Sequence, residues 1–191
     1  MRAILSFVTM LLCTTAALSA QETTPKVEVF GGYSYANANP EFFGQRANLN
    51  GWNSSLAFNF NRTFGIVGDF SGHYGSSGRS IAISSNSFNV STKTHTFLFG
   101  PQVSFRTARV TPFAHVLVGA AHISDILANS SPTFSPSSTA FATALGGGLD
   151  YTFTRKLAWR VQGDYLQTRF FSDTQHNFRL STGPVFRFGG K

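Results

Sequence analysis

The chain has 191 residues, a formal net charge of +7 and one cysteine. Only 12% of its residues are charged, against about 25% in an ordinary soluble domain, while phenylalanine alone takes 21 positions. This balance excludes a disordered polyelectrolyte tail, and a lone cysteine excludes a disulfide scaffold or a cysteine-based zinc site. The basic residues are scattered rather than clustered, so no nucleic-acid partner is expected.

Met1-Arg2 is a short positive start, followed by an apolar stretch from Ala3 to Cys13 and a small-residue stretch ending Ala17-Leu18-Ser19-Ala20. That three-part build reads as a secretory signal peptide over 1–20, cleaved after Ala20. The apolar stretch falls short of the roughly 20 residues a helical span needs. Cys13 lacks the small residue that should precede a lipid-anchor cysteine, and it reads as filler of the apolar stretch. Cleavage removes Arg2 and the cysteine, leaving 21–191 as a single domain.

After Gln21 the apolar period is two, not 3.6. Eight runs alternate: about 27–36, 51–61, 64–75, 93–106, 110–122, 140–153, 157–167 and 177–188. Most exceed an ordinary soluble strand and match the roughly 9–11 residues of a tilted membrane strand. Their connections alternate in length. Residues 62–63, 107–109 and 154–156 are tight turns, whereas 37–50, 76–92, 123–139 and 168–176 are long and rich in Ser, Asn, Gly and Pro. An up-and-down meander with one tight end and one elaborated end produces this pattern.

Sorting each run by parity separates two rows. One holds the large apolar side chains, among them Tyr33, Trp52, Phe58, Phe70, Phe97, Phe99, Leu145, Trp159 and Phe186, and reads as free of Asp, Glu, Lys and Arg. The other holds Glu28, Asp69, Asp150, Arg160, Asp164, Arg179 and Arg187, with Asn53, His73, Gln102, Gln162 and many Gly, Ala and Ser. Eight strands close into a barrel with room inside only for side chains. The small row suits that narrow lumen. The large row then faces hydrocarbon, where a mid-membrane charge costs about 2–4 kcal/mol. Aromatics gather at both ends of the runs, as two membrane interfaces favour. The fold class expected is therefore all-β: an eight-stranded antiparallel up-and-down transmembrane β-barrel.

The chain resembles the small eight-stranded outer-membrane barrels of Gram-negative bacteria, of the OmpA/OmpX kind. Phe30-Gly31-Gly32-Tyr33-Ser34-Tyr35, Gly65-Ile66-Val67-Gly68-Asp69-Phe70, Leu145-Gly146-Gly147-Gly148-Leu149-Asp150-Tyr151 and the closing strand Ser181 to Phe188 carry the resemblance. It implies residence in the outer membrane, contact with outer-membrane lipids, delivery by the barrel assembly machinery and a monomeric state. Such barrels tend to end on an aromatic residue, whereas Phe188 is followed here by Gly189-Gly190-Lys191. No wall-anchoring role is expected.

In the lumen row, closure of the first strand on the last is expected to bring Glu28 to Arg187. The turn at 154–156 sets Phe153 opposite Leu157, and the same register sets Asp150 opposite Arg160. Tyr165 opposite Phe178 brings Asp164 to Arg179. These groups are expected to form a structural network that satisfies buried charge, the alternative being a polar pathway for protons or small solutes. Arg62, Arg106, Arg109, Arg155 and Lys156 are expected to flank the membrane at the turn end and meet headgroups.

The five histidines lack metal-ligand spacing, and neither a metal nor a cofactor is expected. His115 reads as an inward hydrogen-bonded residue and His95 as the only outward histidine. The leading functional expectation is a non-enzymatic outer-membrane barrel presenting four outer loops to an unknown surface ligand. Phe42, Phe43, Phe88, Phe134, Phe170 and Phe171 are its candidate loop contacts. The alternatives are a narrow solute or ion channel and, third, a lipid-modifying barrel enzyme with a Ser–His pair on its wall.

Overall fold

A computed structural model describes residues 24–38, 47–83, 86–128, 137–170 and 173–190. The signal-peptide reading of 1–20 lies outside them. Eight strands follow in chain order: β1 Val27–Ala38, β2 Ala47–Asn59, β3 Phe64–Ile83, β4 Asn86–Ser104, β5 Val110–Ala128, β6 Ser137–Thr154, β7 Leu157–Phe170 and β8 Asp173–Phe188. Each pairs antiparallel with its sequence neighbours, and β8 pairs back onto β1 to close the barrel. Closure leaves no edge strand, which is how a sheet satisfies its backbone in hydrocarbon.

Alternation sorts the side chains as the period of two requires. Phe58, Phe97, Phe99, Val116, Leu145, Trp159 and Phe186 stand exposed on the outer wall, while Ser34, Asn53, Asp69, Asp150, Asp164 and Ser181 are buried inside. Exposure of this many large apolar groups is tenable only where the surrounding solvent is hydrocarbon.

Four features differ from the expectations above. The strands run further toward the long connections. β3 and β4 stay paired as far as Ile83↔Asn86, and β7 and β8 as far as Phe170↔Asp173. Most of 76–92 and 168–176 is therefore ladder, because Ser, Thr and Asn pair as well as apolar residues do once backbone hydrogen bonding sets the register. Secondly, the outer row is not wholly uncharged: Lys93, in register with Tyr74, is exposed at the long-connection end of the wall. Thirdly, Thr154 rather than Phe153 faces Leu157, since a bulge between Thr152 and Thr154 absorbs one residue. Beyond the bulge the expected register returns. Fourthly, the lumen is less uniformly small and polar than its row suggested. Phe30 and Phe113 are buried inside, as are Val67, Leu98, Leu117 and Leu166, the last four in one apolar cluster with Ala142 and Ala144.

The β1–β8 seam depends on glycine. A Cβ on Gly183 would fall 2.4 Å from the carbonyl oxygen of Gly31, and one on Gly32 would fall 2.2 Å from that of Thr182. Both contacts are to backbone, so neither relaxes by a rotamer change. Gly183→Ala is expected to cost about 1–3 kcal/mol through overpacking at the closing seam. Urea unfolding in micelles, read by the heat-modifiable gel shift, checks this, and an unchanged midpoint contradicts it.

Candidate functional site: a charged network across the lumen

Inward positions of β1, β3, β6, β7 and β8 carry the acidic and basic groups, and the barrel's curvature turns them onto one another in two connected sets. Near the tight turns, Glu28 is the centre. Arg187 Nε donates to its Oε1 at 2.9 Å, and Arg106 donates from Nη1 and Nη2 to Oε1 and Oε2 at 3.0 and 3.1 Å. Arg187 also reaches Asp150 Oδ2 at 3.3 Å and the Thr152 hydroxyl at 2.8 Å. Asp150 in turn accepts two hydrogen bonds from Arg160, at 2.7 and 2.9 Å. Bidentate geometry of this kind is the stronger class of charged hydrogen bond. The Arg160 guanidinium lies 4.3 Å from the Phe113 ring centroid and 5.4 Å from that of Phe30. The two lumen phenylalanines thus lie against the buried guanidinium within cation–π range.

Further toward the long connections, Arg179 joins two acids. It donates to Asp69 Oδ1 at 2.7 Å and to Asp164 Oδ2 at 2.9 Å, and to the Ser71 hydroxyl at 3.1 Å. His115 Nε2 lies 2.7 Å from Asp164 Oδ1. Asn53 donates to Asp69 at 2.8 Å and accepts from Gln162 at 3.1 Å, and Gln162 donates to Asp164 at 3.3 Å. Beside this set, His73 Nε2 sits 2.9 Å from the Ser34 hydroxyl, which also meets Ser181 at 2.9 Å.

All seven lumen residues named from the sequence therefore face inward and are nearly inaccessible, Arg187 being the most exposed at 7%. Glu28 meets Arg187, Asp150 meets Arg160 and Asp164 meets Arg179. The sequence reading missed the cross-barrel Arg179–Asp69 pair. It also misplaced Arg106. This residue does not meet headgroups with the turn cations; it folds into the lumen onto Glu28, its side chain only 6% exposed. Parity offered the signal, since Arg106 continues the inward row of Gln102 and Ser104 past the end of β4. With Arg106 included, four guanidiniums face four carboxylates and the network carries no formal excess charge. Arg109, Arg155 and Lys156 stay exposed at the turn end, and Arg62 donates to the Arg106 carbonyl at 3.2 Å.

Among the histidines, His115 points inward as expected, but His95 is not alone outside. His122 is exposed directly opposite it on β5, and exposed His176 hydrogen-bonds Tyr165. Two of the candidate loop aromatics are not in loops: Phe88 pairs with Ile81 within the β3–β4 ladder, and Phe170 ends β7. Phe42, Phe43, Phe134 and Phe171 lie outside the described residues. No cluster of three or more His, Cys, Asp or Glu suited to a metal ion occurs among the described residues.

Solved structures with the same fold include Ail, the attachment invasion locus protein of Yersinia pestis. It is 19% identical, with 85% of this chain and 99% of that one covered and a TM-score of 0.61. Neisserial surface protein A is 14% identical over 85% of this chain and 97% of its own, with a TM-score of 0.62. OprG from Pseudomonas aeruginosa is 11% identical over 88% and 98%, with a TM-score of 0.51. Among curated proteins none matches the sequence. The sequence profile of the outer membrane protein beta-barrel domain matches residues 5–186, nearly the whole chain, and the outward apolar wall is what that location demands. The protein belongs to the outer membrane β-barrel family and resides in the bacterial outer membrane.

Proposed function

We propose that the protein is a sealed, non-enzymatic scaffold whose work is done at the end carrying the long connections, as an adhesive or ligand-binding surface. The observation that carries this reading is the filled lumen. Arg160, Arg179, Gln162, Glu28, Asp69, Asp150 and Asp164 are all almost wholly buried and hydrogen-bonded to one another across the barrel. Each of the four lumen carboxylates and four guanidiniums is paired with an opposite charge, so the charged groups are held by one another rather than lining an open path, which supports a scaffold over a channel. The Ser34–His73 contact supports no hydrolase: the pair is buried in the lumen, and among the described residues no carboxylate hydrogen-bonds His73. The fold is shared with Ail, whose name records attachment and invasion and which has been solved with the heparin analogue sucrose octasulfate.

Loops on rigid scaffolds are where binding surfaces concentrate, and β3–β6 carry theirs well past the roughly 9–11 residues that cross the membrane. Residues 129–136 join β5 to β6, so removing only these leaves both described strands intact. Cells displaying the barrel are expected to adhere to epithelial monolayers more than vector controls, and cells displaying the 129–136 deletion are expected to lose that gain. Purified barrel is expected to be silent in planar bilayers. Discrete conductance steps, or adhesion indifferent to the protein, contradict the reading.

A further inference from the structure

The outer wall is not uniformly filled. Between β3 and β5 it holds a wholly apolar groove of about 400 Å³, bounded by Gly68, Phe70, Phe97, Phe99, Gly119 and Ala120. The gap arises because small residues on β3 and β5 flank large rings on β4. Phe70 and Phe97 meet edge to face, with ring centroids 4.5 Å apart, and stiffen one side. At this depth the surrounding medium is hydrocarbon, so the chemistry that completes the groove is an acyl chain.

Polar groups sit directly beyond the groove on the same outward rows. On β4 Phe97 is followed by His95 and then Lys93; on β5 Ala120 is followed by His122 and then Ser124. Register sets His95 against His122 and Lys93 against Tyr74. The Tyr74 hydroxyl lies 3.2 Å from His95 Nε2; Thr139 orients His122 through Nδ1 at 2.9 Å, and the long 3.3 Å contact of its Nε2 with the Ser124 hydroxyl is the one a phosphate oxygen would replace. Each two-residue step along a strand is about 7 Å. The imidazoles therefore lie one step above the rim and Lys93 two, the order in which a lipid presents its chain and then its headgroup. Lys93 makes no ion pair among the described residues, and no other Lys or Arg with a described side chain lies on this half of the wall.

We propose that the β3–β5 wall is a binding site for a phosphate-bearing lipid of the outer leaflet. One acyl chain occupies the groove, and the phosphate is held by Lys93, His122 and the Tyr74–His95 pair. A lysine stem lies along apolar wall while its ammonium reaches phosphate depth, which is where this chain needs it. The site is independent of whatever the long connections bind.

The test is native mass spectrometry of the refolded barrel in micelles, offered diphosphoryl lipid A or its dephosphorylated form. A one-to-one adduct is expected with the diphosphoryl form and about tenfold less with the other, the scale of a few charge contacts at a membrane surface. Ala120→Phe and Gly68→Leu should reduce both adducts by filling the groove. Both keep the wall apolar, and a Cβ on Gly68 would meet only the Phe70 ring, at an ordinary 3.7 Å. The double variant Lys93→Gln, His122→Gln should remove the preference for phosphate and leave the heat-modifiable gel shift unchanged. Equal retention of the two lipids by the unsubstituted protein overturns the proposal, as do adducts indifferent to either set of substitutions.

Discussion

Arg179→Met is expected to destabilise the barrel by about 3–5 kcal/mol, the cost of breaking a buried ion pair by removing one partner. The arginine holds Asp69 and Asp164 together across the lumen at 2.7 and 2.8 Å, and all three side chains are almost wholly buried. Its removal leaves two carboxylates facing each other with only Asn53, Gln162 and His115 as donors. The loss should be read as a lowered urea midpoint in micelles. The triple variant Arg179→Met, Asp69→Asn, Asp164→Asn should recover much of it, because a neutral lumen needs no counterion. Destabilisation of less than about 1 kcal/mol by the single variant would mean that water enters the lumen and screens the acids.

Glu28→Leu is expected to cost about 3 kcal/mol by the same mechanism with the signs reversed. It would remove the only acid that Arg106 meets among the described residues and leave Arg187 with Asp150 as its one carboxylate, beside the Thr152 hydroxyl. The effect falls on the closing seam, since Glu28 and Arg187 are register partners between β1 and β8. Pairing Glu28→Leu with Arg106→Leu should restore part of the stability. A double-mutant cycle on these two positions yields their coupling energy directly, and a coupling near zero would show that the Arg106 contact contributes nothing.

The two variants probe different ends of one network, and their effects are expected to add. Glu28 is hydrogen-bonded to Arg106, Arg187 and Asn59 and Arg179 to Asp69, Asp164 and Ser71, so the two positions share no partner among the described residues.

The sequence alone determined the strand count, the up-and-down order, the inward and outward rows of the strands and the register of three ion pairs. All of these follow from a period of two and from short turns, which are local properties of the chain. Glu28 and Arg187 are far apart in sequence, yet their meeting was legible because any membrane sheet has to close on itself. Arg179 with Asp69 was not legible. The contact crosses the lumen rather than a ladder, and its geometry depends on barrel diameter and strand tilt. Arg106 shares the inward parity of Gln102 and Ser104, but its place in the sequence groups it with the turn cations, and only the path of the chain past Ser104 shows its side chain folding back onto Glu28. The paired extensions of β3 with β4 and β7 with β8 escaped because polar strands carry no hydrophobic alternation to reveal them. The groove at Gly68 and Ala120, capped by His122 and Lys93, joins residues from three strands. Only the register between those strands decides which small residue stands beside which ring, and that register is set by hydrogen bonding between strands, not by the order of residues along any one of them.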